Sequence, residues 1–145
     1  MKIVTIGFTR KSAEVFFTSL QRAGLKRLVD VRLNNVSQLA GFTKKDDLRY
    51  FSRAVLQMEY IHLAQLAPTQ QLLQAYRNKS IDWPQYESGF LNLMKTRKIE
   101  ETVSREVLDG GCLLCSEEKP QRCHRRLVAE YLKVAWSDIE IEHIP

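Results

Sequence analysis

The residues best suited to chemistry lie in one short stretch near the carboxyl end of the chain. An apolar run from Gly111 ends at Cys115, a polar loop with a proline follows, and a helical pattern opens near Cys123. Two thiols, two carboxylates, an imidazole and several cations fall within about a dozen positions of this stretch. Because open α/β sheets bind ligands beyond the carboxyl ends of their strands, this strand, loop and helix predict a ligand site.

One hypothesis makes Glu117 the acid or base of a reaction on a bound anion. The first amides of the helix that opens near Cys123 can bind phosphate, because the positive end of the helix dipole lies there. Arg125 and Arg32 can add bidentate contacts to the same group. A carboxylate beside such a site could activate water or stabilise positive charge that develops at a sugar carbon.

A second hypothesis uses a thiol as nucleophile, with His124 as its base. Cys115 and Cys123 are both candidates. Cys123 is predicted to be the better one, because a thiol in the first turn of a helix beside arginines has a lowered pKa. Cys115 and His124 are in any case expected to contact the ligand.

Zinc is a third possibility, since thiolate and imidazole are zinc ligands. Cys115, Cys123 and His124 could supply three ligands, and Glu117 a fourth. Adjacent Cys and His residues rarely close on one metal without strain, however, and the chain has no second C-x-x-C or H-x-x-x-H pair. The sequence therefore predicts no resident metal, and it implies no other cofactor.

More candidates follow the apolar strand predicted at 27–31. Asp30 and Arg32 flank Val31, so their side chains share one face of the strand. A carboxylate within an apolar strand is costly unless it is paired. Two interpretations stay open: a structural role, in which Asp30 pairs with Arg32 or binds loop amides, and a ligand clamp in which Asp30 takes part in catalysis. Asn34, in the polar loop predicted at 33–43, is a further candidate for ligand contact.

The first strand, predicted at 2–6, ends at a loop from Gly7 to Arg10 whose two end residues are candidate ligand contacts. Strand, helix and strand within about thirty residues form a βαβ unit, whose two strands are parallel. The loops that follow the strands should then meet at one edge of the sheet. The resulting pocket is predicted to bring together four side chains: Asp30, Arg32, Glu117 and Arg125.

The hydrophobic periodicity of the rest of the chain predicts helices alternating with strands. Further helices are expected at 12–23, 44–56, 69–77, 84–95 and 99–108, and a last helix ends at 136. Further strands are expected at 59–63 and 139–144, the latter at a sheet edge. Together these elements predict one domain over 1–145, a three-layer α/β sandwich with a mostly parallel sheet. The spacing of Trp83 and Tyr86 is interpreted as core packing rather than as a base-stacking platform.

The composition restricts the kinds of binding partner and the cellular compartment that we expect for the protein. The net charge of +5 favours an anionic partner such as a nucleotide or nucleic acid, although charge that serves solubility explains it equally well. No apolar run approaches the roughly 20 residues that span a bilayer, which predicts no membrane partner. Three cysteines without a secretory signal predict a cytoplasmic protein with no disulfide framework. Cys112, three residues before Cys115 in the apolar run, is interpreted as a small core residue.

In matching order along nearly the whole chain, these motifs resemble the family named domain of unknown function 488. The resemblance includes Thr5-Ile6-Gly7, Asp30-Val31-Arg32, and Leu113 to Glu117 with Cys123-His124-Arg125. The last motif, with Pro120 between its halves, is the most specific. The resemblance implies a compact α/β domain with one site, and it implies no particular reaction.

The leading hypothesis for function is a small enzyme that acts on a phosphate-bearing ligand, either a nucleotide or a nucleic acid. Its predicted catalytic residues are Glu117, Asp30 and Cys123. The alternatives are a nucleotide or nucleic-acid binding module without catalysis, and a zinc-holding interaction protein. The sequence does not indicate an oligomeric state.

Overall fold

A computed structural model describes residues 1–36 and 41–145, and its strands form one parallel sheet. The strands pair in the order β3-β2-β4-β1-β5, and every pair is parallel. The predicted α/β class is confirmed, and the sheet is parallel throughout rather than mostly so. The strands are β1 (Lys2–Gly7), β2 (Arg27–Asp30), β3 (Glu59–His62), β4 (Gly111–Cys115) and β5 (Glu140–His143).

Helices cover both faces of this sheet, which gives the predicted three layers. Phe16 of the first helix packs on one face, and Phe90 and Leu127 of later helices pack on the other. The helices of the described residues are α1 (Ala13–Ala23), α2 (Lys45–Leu56), α3 (Gln70–Arg77), α4 (Trp83–Arg97), α5 (Ile99–Thr102), α6 (Arg105–Leu108) and α7 (His124–Trp136). Short 3-10 turns lie at Gly41–Thr43 and Ala64–Leu66.

Local signals fix several helix ends. Ser12 caps α1, because its hydroxyl accepts a hydrogen bond from the Val15 amide at 3.2 Å. Gly24 ends the helix with φ of 63°, a left-handed conformation in which a glycine has no steric penalty. Asp82 and Gln85 form a reciprocal capping box at the start of α4.

The predicted helix over 99–108 is wrong, because the chain forms two short helices there. Val103 lies between them in an extended conformation, with φ of −100° and ψ of 131°. Its side chain is buried in the core, and a β-branched residue loses rotamer freedom in a helix. Part of the loop predicted at 33–43 (37–40) lies outside the described residues. Within the described ranges, no helix has the length and apolar character needed to cross a membrane.

The strand register explains why the site lies at the carboxyl edge of the sheet. Strand β4 lies between β1 and β2, with Cys115 opposite Gly7 and Leu114 opposite Asp30. The ends of these three strands therefore converge as predicted. Because side chains alternate along a strand, Cys115 faces the layer of α4 and α7, whereas Cys112 faces the layer of α1 and α2.

Candidate functional site

A cavity of about 240 Å³ opens beside the end of β4. Its lining includes three short segments: 32–34 after β2, 115–117 at and after the end of β4, and 122–124 at the start of α7. Side chains of α3 and α4 form the opposite wall. Ligand pockets usually measure about 300–1,000 Å³, so this cavity suits a small molecule or the end of a larger one.

Cys115 and His124 form a thiol–imidazole pair in the cavity wall. The Cys115 Sγ lies 3.6 Å from Nδ1 of His124, and Nε2 of the same ring lies 2.6 Å from the Val31 carbonyl oxygen. A carbonyl only accepts hydrogen bonds, so Nε2 carries a proton and donates it to Val31. Nδ1 is then the ring nitrogen that can exchange a proton with Cys115, and the same Sγ also lies 3.9 Å from Nε2.

The surroundings of the two thiols shift their pKa values in opposite directions. The hydrogen bond from Cys123, followed by the charge and hydrogen bond of His124, lowers the pKa of Cys115 well below its usual range, although burial opposes this. Burial and the neighbouring Cys115 raise the pKa of Cys123. The lowered pKa predicted for Cys123 is therefore wrong, because Cys123 is buried and serves as the donor of the pair.

The neighbouring Cys115 also shifts the pKa of the His124 imidazole. Burial by itself lowers the pKa of His124, but the charge and hydrogen bond of Cys115 and the contact with Val31 raise it overall. A cationic imidazole and a thiolate therefore stabilise each other inside the protein. The pairing therefore favours the ionised form of Cys115 relative to an ordinary thiol.

Both carboxylate oxygens of Asp30 accept hydrogen bonds from other groups of the protein. Its Oδ1 accepts from the backbone amide and Nε of Arg32, at 3.1 and 2.8 Å. Its Oδ2 accepts from Nη2 of Arg32 at 2.8 Å and from the Tyr60 hydroxyl at 2.5 Å. Asp30 is completely buried and does not line the cavity, so the geometry favours the structural pair over the predicted catalytic role.

Arg32 is held by Asp30 in a way that leaves one end of its guanidinium unused. Nη2 also donates to the Thr43 carbonyl oxygen at 2.7 Å, whereas Nη1 is buried and has no hydrogen-bond partner among the described residues. Burial lowers the pKa of Arg32, but the hydrogen bonds and charge of Asp30 raise it overall. Arg32 is among the residues that line the cavity, but its guanidinium lies 5.3 Å over the Phe8 ring and the residue is only 3% exposed. Nη1 is inaccessible to solvent, so it offers no direct hydrogen bond to a ligand.

Arg125 points away from the cavity, in contrast to its predicted ligand contact. Its guanidinium donates to the carbonyl oxygens of Glu117 and Glu118 at 2.6 and 3.3 Å, and to the Thr5 hydroxyl at 3.4 Å. The side chain is completely buried. Arg125 therefore holds the backbone of the loop after β4 in place through these hydrogen bonds. Of the four side chains predicted to share the pocket, Arg32 and Glu117 line it, while Asp30 and Arg125 position its walls.

The loop after β1 also supports the site from outside the cavity. A Cβ atom on Gly7 would lie 1.6 Å from the Glu117 carbonyl oxygen, so only glycine lets the two backbones pass. The Thr9 amide and hydroxyl both donate to the Ser116 carbonyl oxygen, at 3.0 and 2.6 Å. Arg10 is exposed, 3.8 Å from a Glu118 carboxylate oxygen. Gly7 and Arg10, both predicted to contact ligand, thus lie behind the loop rather than in the cavity.

The remaining predicted residues are at or near the mouth of the cavity. Glu117 and Asn34 both line it and are both exposed. Glu117 is therefore placed to reach both a ligand in the cavity and bulk water. The Cys123 amide, one of the predicted phosphate donors, instead donates to the Pro120 carbonyl oxygen at 3.2 Å.

Sequence reasoning missed the wall that α3 and α4 contribute. Tyr86 and Trp83 are stacked with ring centroids 5.3 Å apart, and Tyr76 lies 5.0 Å from Tyr86. These rings pack in the core as predicted, and they also line the cavity. Arg77 and Arg122 add two exposed cations to the lining. No local pattern marks these residues, because the packing of α3 and α4 against the sheet edge brings them there.

Three potential metal ligands do lie together, contrary to the argument from their spacing. The ligand atoms of Cys115, Cys123 and His124 lie within 4.8 Å of one another, and all three residues are buried. Adjacent Cys123 and His124 reach the same point because the first is the residue before α7 and the second begins it. Structural zinc sites use four protein ligands, and the described residues provide three in this cluster.

Fold and site together define a class of protein: an all-parallel α/β domain with a thiol–imidazole pair and a buried arginine at the carboxyl edge of its sheet. The chain belongs to the family described as domain of unknown function DUF488, whose family model matches residues 12–132. This match confirms the resemblance to the family, and it includes both Asp30-Val31-Arg32 and the segment from Cys115 to His124, whereas Thr5-Ile6-Gly7 lies before the matched range. No curated protein and no solved structure matches the chain.

Proposed function

We propose that this protein is an enzyme that uses the Cys115 thiolate as a nucleophile on a small phosphate-bearing ligand, either a nucleotide or the end of a nucleic acid. One observation carries the proposal. The Cys115–His124 pair lines a cavity whose lining also includes the exposed cations Arg77 and Arg122. A nucleophile, its base and an anion contact are the parts that such a reaction needs.

The charges around the cavity support an anionic ligand. Arg32, Arg77 and Arg122 line it, against the single carboxylate of Glu117. Arg77 and Arg122 are exposed, so their guanidinium groups can donate to a phosphate at the mouth of the cavity. Two such arginines can hold two negative groups, as on a nucleotide with more than one phosphate.

The roles of the side chains follow from their positions. Cys115 attacks an electrophilic centre of the ligand and forms a covalent bond, while the His124 imidazolium gives its Nδ1 proton to the leaving group. Glu117, exposed at the mouth, accepts a proton from the water that later releases the covalent product. Asp30 keeps Arg32 in position and touches no ligand.

The test is a turnover assay on nucleotides and short single-stranded DNA, combined with mass spectrometry of the intact protein. We expect Cys115→Ser to abolish turnover, while the matched variant Cys112→Ser, altered on the opposite face of β4, keeps it. Glu117→Gln should retain ligand affinity and lose about two to four powers of ten in turnover. The expected covalent adduct should accumulate in the Glu117→Gln protein.

Two results would redirect the proposal. Undiminished turnover in Cys115→Ser excludes the thiolate mechanism. Saturable binding of a nucleotide or DNA without any product favours the alternative of a binding module without catalysis. In that case Glu117→Gln should tighten binding, because like charges about 6 Å apart repel by roughly a kcal/mol or more near a protein surface.

A further inference from the structure

The two thiols beside the cavity lie close enough to react with each other. The Sγ atoms of Cys115 and Cys123 lie within 4.8 Å, and both residues line the cavity. Cys112 is completely buried on the opposite face of β4. The proposed reaction uses Cys115 and assigns no step to Cys123, so the second thiol has no role in it.

We propose that Cys115 and Cys123 form a disulfide when a hydroperoxide enters the cavity, and that this bond switches the site off reversibly. The inference rests on the proposed role of Cys115 as the reactive thiolate. It assigns Cys123 as the resolving thiol, the partner that captures the oxidised sulfur. A disulfide would remove the nucleophile and would occupy the part of the cavity wall next to His124.

The chemistry takes two balanced steps. The Cys115 thiolate attacks one oxygen of hydrogen peroxide, forming an S–O bond and breaking the O–O bond, and the departing hydroxide takes a proton to become water. The Cys123 sulfur then attacks the sulfenic sulfur of Cys115, forming the S–S bond as the S–O bond breaks. The hydroxyl group leaves with the Cys123 proton as water. Two thiols are oxidised and one peroxide is reduced.

The surrounding backbone suits this change. A disulfide has an S–S distance of about 2.05 Å, so one sulfur must move toward the other. Cys115 is fixed as the last residue of β4, whereas Cys123 ends the loop after it and precedes α7. Thr9 and Arg125 hold the first part of that loop, up to Glu118, whereas Lys119 and Gln121 nearer Cys123 are exposed, so the movement falls in this later part.

The experiment treats the reduced full-length chain with a small excess of hydrogen peroxide, without any ligand. Trypsin cleavage after Arg122 separates the two cysteines for peptide mapping without reductant. We expect two of the three thiols to disappear with no oxygen added, Cys123 to be linked to Cys115, and dithiothreitol to restore both. Cys112→Ser is the matched control and should form the same disulfide, which also excludes Cys112 as the partner.

Further results test the disulfide inference without testing the proposed function. In Cys123→Ser, Cys115 should gain oxygen and form no bond within the chain. Wild-type protein that accumulates oxygen on Cys115 while Cys123 stays free would overturn the inference, as would peroxide-driven release of about one zinc ion per chain, detected with a chromogenic chelator. Turnover of the fully reduced protein tests the proposed function separately, so the failure of either idea is recognised independently.

Discussion

Replacement of Gly7 by alanine should destabilise the protein strongly, because the backbone of the loop after β4 passes directly over this residue. The added Cβ would lie 1.6 Å from the Glu117 carbonyl oxygen, whereas real Cβ contacts essentially never fall below 3.0 Å, so the backbones must separate by at least 1.4 Å. That oxygen accepts the 2.6 Å hydrogen bond from Arg125. A shift of this size breaks the bond and leaves part of a buried guanidinium unpaired.

The two costs set the expected magnitude. Overpacking in a well-packed region costs about 1–3 kcal/mol, and loss of a hydrogen bond to a charged group costs about 1.5–3 kcal/mol. We therefore expect Gly7→Ala to lower the free energy of unfolding by about 3 kcal/mol or more. For a chain of this size such a change lowers the melting temperature by about 6–12 °C.

Denaturant unfolding followed by circular dichroism measures this effect, and Gly41→Ala is the matched control. A Cβ on Gly41 meets no atom of the described residues within 4 Å, so this variant should stay within about 0.5 kcal/mol of the wild type. Equal unfolding midpoints for Gly7→Ala and Gly41→Ala would refute the packing of Gly7 against the loop, and with it the account of how Glu117 is positioned.

Two further predictions concern the thiol cluster. Alkylation of Cys115 by iodoacetamide should persist below the usual thiol pKa of about 8.5 and decline only as the pH falls through the lowered pKa of Cys115, because the thiolate is the reactive form. Rates measured across pH should show this decline at higher pH in His124→Gln, and an unchanged profile would disprove the pairing. Elemental analysis of purified protein should find no stoichiometric structural zinc, since the described residues in the cluster supply three ligands and a structural site needs four; about one zinc per chain, lost in Cys123→Ser, would contradict this.

Local sequence patterns were sufficient to predict most of the elements and the position of the site. The apolar run that ends at Cys115, the cap at Ser12 and the glycine at Gly24 act within a few residues of themselves, so their effects can be predicted without the fold. The βαβ pattern then requires neighbouring parallel strands, and parallel strands bring their following loops to one edge. Convergence of the loops after β1, β2 and β4 followed from these facts alone.

The function of each side chain at that edge depended on contacts between residues far apart in sequence. Asp30 and Arg125 carry the charges expected of ligand contacts, yet the fold buries both and satisfies them with Tyr60, Arg32 and backbone carbonyls. The reactivity of a thiol likewise depends on which residues surround it. In the sequence, proximity to the start of α7 favoured Cys123, but the position of the His124 ring and the donor Cys123 favour ionisation of Cys115.

The aromatic and cationic residues that line the cavity could not be predicted from the sequence for the same reason. Trp83 and Arg77 lie more than thirty positions before Cys115, and their helical periodicity is that of ordinary core and surface residues. They reach the site because α3 and α4 pack across the sheet edge, which depends on the shape of the whole core. The sequence determined where the strands end, since this depends on local conformational preferences. Tertiary packing decided which charges stay buried, because desolvation and pairing depend on atoms that only the folded chain brings together.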